Sequence, residues 1–217
     1  MKYKFFKLLI IFIFIIIISI ILIIVISNRI MPIYINYSES EIKRVVTTII
    51  NKSVSEIDFD NQLFIINKDN NLVTLDYDPA IVNRIISNIG DKVYNNLKLI
   101  EKLDNNILNK YNIDKSIFFI PSGIVFNSIL LNNLGPRIPI RLELIGSVNP
   151  NLETKLTEYG INNSLIEVSI RINTSVKMIL PFSSKELKII VVVPLTVKII
   201  QGEVPEYYFG YNKTRSS

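Results

Sequence analysis

The chain contains no cysteine, no histidine and no tryptophan. Without cysteine there is no disulfide framework, no thiolate zinc site and no lipidated cysteine to hold the chain on a bilayer. Without histidine the usual proton shuttle of nucleophilic triads is missing. Glycine and proline number only 7 and 9 in 217 residues, so each marks a particular turn, edge or kink. Charge of one sign is lacking too: three of the 24 basic residues precede residue 8, and the other 21 nearly balance 19 acidic ones. A nucleic-acid surface needs clustered lysine and arginine. Here they are scattered, so no nucleic-acid partner is expected despite a pI of 9.2.

What the chain does have is apolar sequence, 49% of its residues, concentrated first in MKYKFFKLLIIFIFIIIISIILIIVISNRI. From Leu8 to Ile26 only Ser19 is polar, and these nineteen residues, rising about 1.5 Å each, span a hydrocarbon core of about 30 Å. The run exceeds the roughly 7 to 15 apolar residues of a cleaved signal peptide, so a retained anchor is expected. Lys2, Lys4 and Lys7 precede it, which keeps the N-terminus cytoplasmic and exports the rest. The expected organisation is a cytoplasmic N-terminus over 1–7, a transmembrane anchor over 8–27, a linker over 28–37, an extracytoplasmic α+β domain over 38–208 and a polar tail over 209–217.

Ser38 and Glu41 have the spacing of a capping box, and Ile42, Val45, Val46, Ile49, Ile50, Val54 and Ile57 then recur on one helical face. QLFIINKDNNLVTLDYD reads as a hairpin. Asp78-Pro79 opens a second amphipathic helix, its stripe running from Ile81 through Val93 and Leu97 towards Leu108. Within it Gly90 either bends the helix or lets it pack closely on the sheet. Asp69, Asp76 and Asp78 cluster, but turn and capping chemistry account for them better than a metal, and no cofactor is expected.

Beyond Ile117 the chain turns to strands. In LIEVSIRINTSVKMIL the apolar residues alternate with polar ones for sixteen positions, and KELKIIVVVPLTVKIIQG returns with Leu187 to Ile199 on one face. Such lengths imply bends or bulges, with Pro139 and Pro194 at edges or bulges. The fold class is therefore α+β: an N-terminal transmembrane helix, then two amphipathic helices packed on a long antiparallel sheet. In LLNNLGPRIPIRLELIGSVNP, Gly135-Pro136 reads as a turn and Gly146 as the end of a strand. Arg137 and Arg141 point away from its apolar face. They are read as a solvated edge, against the alternative of an anion or lipid-headgroup contact. Gly160, Asn162 and Asn163 read as the turn into the long strand.

Several segments occur in one order: NNLGPRIPIRLELIG, YGINNSLIEVSI and LPFSSKELKIIVVVPLTVKIIQGEVPEYY. With the leading anchor and helix they closely resemble the YunB family of sporulation proteins, from about Ser38 to Tyr208 and most densely between Leu131 and Pro205. The motif positions are Gly135, Pro136, Arg137, Pro139, Arg141 and Gly146 in the first segment, and Tyr159, Gly160, Asn162 and Asn163 in the second. Pro181, Pro194, Gln201, Gly202, Glu203 and Pro205 belong to the third.

The resemblance implies a role in endospore formation in a spore-forming Firmicute, on a mother-cell or forespore-surrounding membrane. It carries no catalytic residue. The expected activity is a non-catalytic structural or assembly role, with the membrane and other sporulation proteins as partners and room for an oligomer. The alternative is a lipid or apolar-ligand binding module at the spore membranes. An enzyme acting on spore peptidoglycan ranks below both; Glu143, Glu167 and Glu203 offer carboxylates by residue type alone.

Overall fold

A computed structural model of the chain describes residues 2–57, 65–69, 72–76, 78–126, 128, 130–160 and 163–201. It is an α+β protein whose N-terminal helix is long and apolar and whose strands form antiparallel sheets. Helix α1 (Lys2–Val25) passes through a π turn at Ile26–Ile30 into α2 (Met31–Ser55) without a break. Every side chain from Leu9 to Arg29 is exposed. This is the one described helix long and apolar enough to cross a membrane.

The capping box at Ser38 is therefore corrected. Ser38 lies inside α2, buried, and its hydroxyl donates to the Tyr34 carbonyl at 2.6 Å, while Glu41 accepts from Arg44 at 2.7 Å. The expected linker over 28–37 is likewise helical. Pro32 supplies the physical reason for the π turn: it has no N–H to give, and its ring clashes with the carbonyl four residues back unless that turn widens.

Two compact units are distinguished, each assembled from separate stretches of chain. The first comprises Met1–Val46, Ile100–Leu144 and Val176–Leu187. Here α3 (Pro79–Glu101) ends, with Leu103 at φ 53 breaking the stripe that the sequence carried on to Leu108. A separate helix α4 (Asn105–Lys110) follows, because the Asp104 carboxylate accepts from the backbone of Asn106 and Ile107. Strand β3 (Phe119–Pro121) pairs antiparallel with β4 (Arg137–Pro139). Ile42, Val45, Ile107, Tyr111, Phe118, Ile120, Ile140 and Met178 are buried in this unit. The Glu101 carboxylate receives the Leu144 N–H at 3.1 Å. Lys185, then Lys43, hold the Glu39 carboxyl below the usual glutamate range, the Lys185 contact measuring 2.6 Å.

The second unit comprises Thr47–Leu99, Ile145–Ser175 and Lys188–Ser217. The expected hairpin is present as β1 (Ile65–Asp69) and β2 (Leu72–Asp76), Asn67 opposite Thr74. Asp78 caps α3, accepting the Ala80 N–H at 2.8 Å, with Pro79 as the first helical residue. Ile49, Ile50 and Val54 of α2 and Ile89, Val93 and Leu97 of α3 are almost wholly buried. Between these helices the buried Asn96 amide donates to the buried Ser53 hydroxyl at 2.8 Å. A side chain at Gly90 would stand 3.5 Å from the Pro150 ring, an ordinary van der Waals distance, and α3 runs through Gly90 without interruption.

Three long strands, β5 (Arg141–Tyr159), β6 (Asn163–Leu180) and β7 (Ser183–Gln201), form one sheet with β6 in the middle. Gly146 does not end a strand, as the sequence suggested. It sits inside β5 at φ 72, a left-handed kink that lets nineteen residues stay in one strand. Along β6, Ile166, Val168, Ile170, Ile172, Val176, Met178 and Leu180 are buried as the alternation requires. Thr174 interrupts this row, and its hydroxyl is buried with no hydrogen-bond partner. A buried hydroxyl without a partner costs about 1–3 kcal/mol. Thr174→Val keeps the shape, so the variant is expected to be more stable by about 1 kcal/mol in thermal melts. A lower melting temperature would show that the hydroxyl is satisfied.

Candidate functional site

The densest motif segment builds a closed loop in the first unit. A 3-10 turn at Ser122–Phe126 follows β3, and the chain returns through Leu134, Gly135 and Pro136 to β4. Its neck is closed by the Ser122 N–H donating to the Pro136 carbonyl and the Gly123 N–H donating to the Leu134 carbonyl, both at 2.9 Å. Gly135 has φ +89, the left-handed turn expected of it, and a side chain there would meet the Ser122 hydroxyl at 2.2 Å. The neck is pinned from outside as well: the Tyr34 hydroxyl donates to the Ser122 carbonyl at 2.8 Å. Burial raises the Tyr34 pKa, which keeps the phenol protonated and able to donate. Its ring packs tilted against Phe182, centroids 5.9 Å apart, beside Pro181 in the β6–β7 turn.

Arg137 opens β4 and Arg141 opens β5, both exposed, while Pro139 faces Phe119 across the β3–β4 pair. Asp114 caps the turn at Lys115–Phe118. Its hydrogen bonds to Ser116 hold its carboxyl below the usual aspartate range, and the Arg137 charge adds to this. The arginine pair is thus solvated, with one acidic neighbour. The double variant R137Q/R141Q is expected to change stability by less than about 0.5 kcal/mol, within the range of ordinary surface substitutions. A melting shift well beyond that would assign the pair a structural role.

The other motif positions lie in the second unit. Tyr159 is exposed at the end of β5, Gly160 has φ +76 as its turn role requires, and Asn163 begins β6. Pro194 lies exposed on the edge strand β7, the kind of strand to which a residue without a ladder donor is confined, and Gln201 ends that strand. Asn162, Gly202, Glu203 and Pro205 fall outside the described residues, as do the side chains of Asp69 and Asp76. The described motif positions are divided between the two units.

The polar face of the sheet carries two open depressions. One, about 270 Å³, is lined by Ser147, Asn149, Asn173, Ser175, Lys188 and Ile190 among others. The larger, about 510 Å³, is lined by Glu153, Thr154, Lys155, Glu167, Ser169 and Val192. It brings Glu167 beside Glu153, a neighbour the sequence did not single out, while Glu143 is an exposed residue of β5 in the first unit. Glu153 accepts from the Arg171 guanidinium, and the contact raises the Arg171 pKa. Alternation alone could have placed Glu167 and Arg171 on one face, but only the strand register adds Glu153. Both members of the ion pair are about 40% exposed, a solvated pairing and not the desolvated setting that raises a general acid. Among the described residues no group of acidic side chains could hold a metal ion.

Comparison with known proteins fits this distribution. The family described as Sporulation protein YunB (Spo_YunB) matches residues 117–207, from the turn before β3 to beyond β7. A relative described as Sporulation protein YunB, from Bacillus subtilis (strain 168), is 36% identical over 191 residues, covering 85% of this chain and 74% of the relative. No solved structure matches. With that identity and coverage, the chain belongs to the YunB family of sporulation proteins.

Proposed function

We propose that this protein is a membrane-anchored, non-catalytic assembly factor in endospore formation. In this reading α1 spans a mother-cell or forespore-surrounding membrane with the N-terminus in the cytoplasm. The α+β part stands outside, its two long helices packed on the sheet. The observation that carries the assembly role is the open sheet. Both outer strands, β5 and β7, run for nineteen residues and leave large apolar side chains in solvent: Leu156 at 64%, Ile190 at 60%, Val197 at 56% and Ile199 at 52% exposure. An edge of that length flanked by exposed apolar side chains is a template for pairing with another chain. Other sporulation proteins, or a second copy, are the proposed occupants.

The test is Val197→Lys with Ile199→Glu in a spore-forming strain whose own gene is deleted. The variant should reach the membrane at normal abundance, yet heat-resistant spore yield and co-purifying proteins should both be lost. Wild-type yield from that variant would overturn the reading.

A further inference from the structure

We infer that the smaller depression on the polar face of the sheet binds a carbohydrate, an oligosaccharide carrying hydroxyl and acetamido groups. Ser147, Asn149, Asn173, Ser175, Lys188 and Ile190 line it from all three strands, and all six belong to the second unit. On the central strand β6, Thr174 belongs to the buried row, so alternation turns Asn173 and Ser175 outward, where both are half-buried. Gly146 makes its left-handed kink immediately before Ser147, and irregularities of this kind re-aim side chains beside binding sites. The Ser147 hydroxyl donates to the Asn149 carboxamide oxygen at 3.0 Å, which orients that amide and keeps its N–H groups for another acceptor. Among the described residues, the side chains of Asn173, Ser175 and Lys188 have no hydrogen-bond or ionic partner.

The kind of polar group decides the class of ligand. Hydroxyls and carboxamides both donate and accept, as sugar hydroxyls and acetamido groups do, so the two sets satisfy each other. A phosphate or carboxylate only accepts, and its strong sites gather arginines or several cations. Lys188 is the one cation among the described residues lining this depression, and no carboxylate lines it. Ile190, 60% exposed, offers the C–H face of a sugar ring the apolar contact that binding sites combine with a few polar groups. The volume, about 270 Å³, lies at the lower end of ligand sites, the size for a small group and not for a bulky one. On the same face the larger depression follows, lined by Ser169 and Glu167 of β6 and Val192 of β7. Asn173 and Glu167 are six residues apart, about 20 Å along the strand, which gives an oligomer a track to follow.

The test uses the full chain in lipid nanodiscs, free of sugar-based detergent, with the tetramer of N-acetylglucosamine as probe. Saturation-transfer difference NMR should show magnetisation passing from the protein to the ring and acetamido protons. Asn149→Ala with Lys188→Ala, both at exposed positions, should weaken that signal several-fold at an unchanged melting temperature. Ser175→Ala gives the same reading should the double variant melt lower. The edge variant Val197→Lys with Ile199→Glu should bind the tetramer as the wild type does, so the sugar site and the edge pairing stand or fall separately. No transfer to the tetramer overturns the inference, and so does a signal that both the double variant and Ser175→Ala leave intact. A signal abolished by an equal concentration of inorganic phosphate would make the depression an anion site, which also overturns it.

Discussion

Gly123→Ala is expected to destabilise the protein by about 3 kcal/mol or more, a larger loss than ordinary overpacking produces. A side chain built on Gly123 would stand 1.8 Å from the Leu131 carbonyl oxygen and 2.8 Å from that of Leu134. Neither is free to retreat. The Leu131 carbonyl accepts from the Leu134 N–H at 3.0 Å, and the Leu134 carbonyl accepts from Gly123 itself. Relief requires opening the neck of the loop, which also breaks the Ser122–Pro136 bond and releases the carbonyl that holds Tyr34. Gly135→Ala is a milder companion. Its φ of +89 costs about 1–2 kcal/mol, but the Ser122 hydroxyl in its way can rotate. Thermal melts of the full chain should show Gly123→Ala lower by roughly 6–12 °C, using about 2–4 °C per kcal/mol at this size. A fall of less than about 2 °C would mean that the loop is loosely held.

The other large effect is expected in the middle of the sheet. Ile170 is fully buried on β6, the central strand, between the buried Val168 and Ile172. Truncation to alanine removes three carbons from a site that other strands flank on both sides, so collapse around the gap is limited. The expected loss is about 3–4 kcal/mol, read as a lower denaturant midpoint at unchanged slope. Four positions along the same row, Thr174→Val should move the midpoint the opposite way. The pair of variants separates packing from polarity on one face of one strand. A loss below about 1 kcal/mol for Ile170→Ala would show that this row is not the core.

Much of this fold was legible because the periodicities are long. The stripe from Ile42 to Val54 and the alternation from Ile166 to Leu180 each name a buried face, and both faces are buried. What misled the sequence reading was local chemistry overruled by its surroundings. Ser38 and Glu41 have capping spacing, yet the apolar helix arriving from the N-terminus simply continues, and the serine bonds backward to Tyr34. Gly146 looked like a strand end because glycine is rare in strands, yet β5 runs on through it from Arg141 to Tyr159. Tyr34 was visible only as one tyrosine of an expected linker. Its roles depend on Ser122 and Phe182, 88 and 148 residues away in sequence, and no short-range pattern announces them. A fragment cut at Ser38 would lose that anchor point.

The unbroken helical passage from Lys2 to Ser55 leaves no flexible joint between the apolar run and Tyr34. A flexible joint would let the residues beyond it swivel about the helix axis. A helix transmits rotation instead: one residue added between Ile26 and Ile30 would turn everything above it by about 100° and raise it by about 1.5 Å. The π turn already contains such a widened step. It thereby sets the bearing about the helix axis at which Tyr34, and the loop neck fixed to it, stand relative to the apolar run.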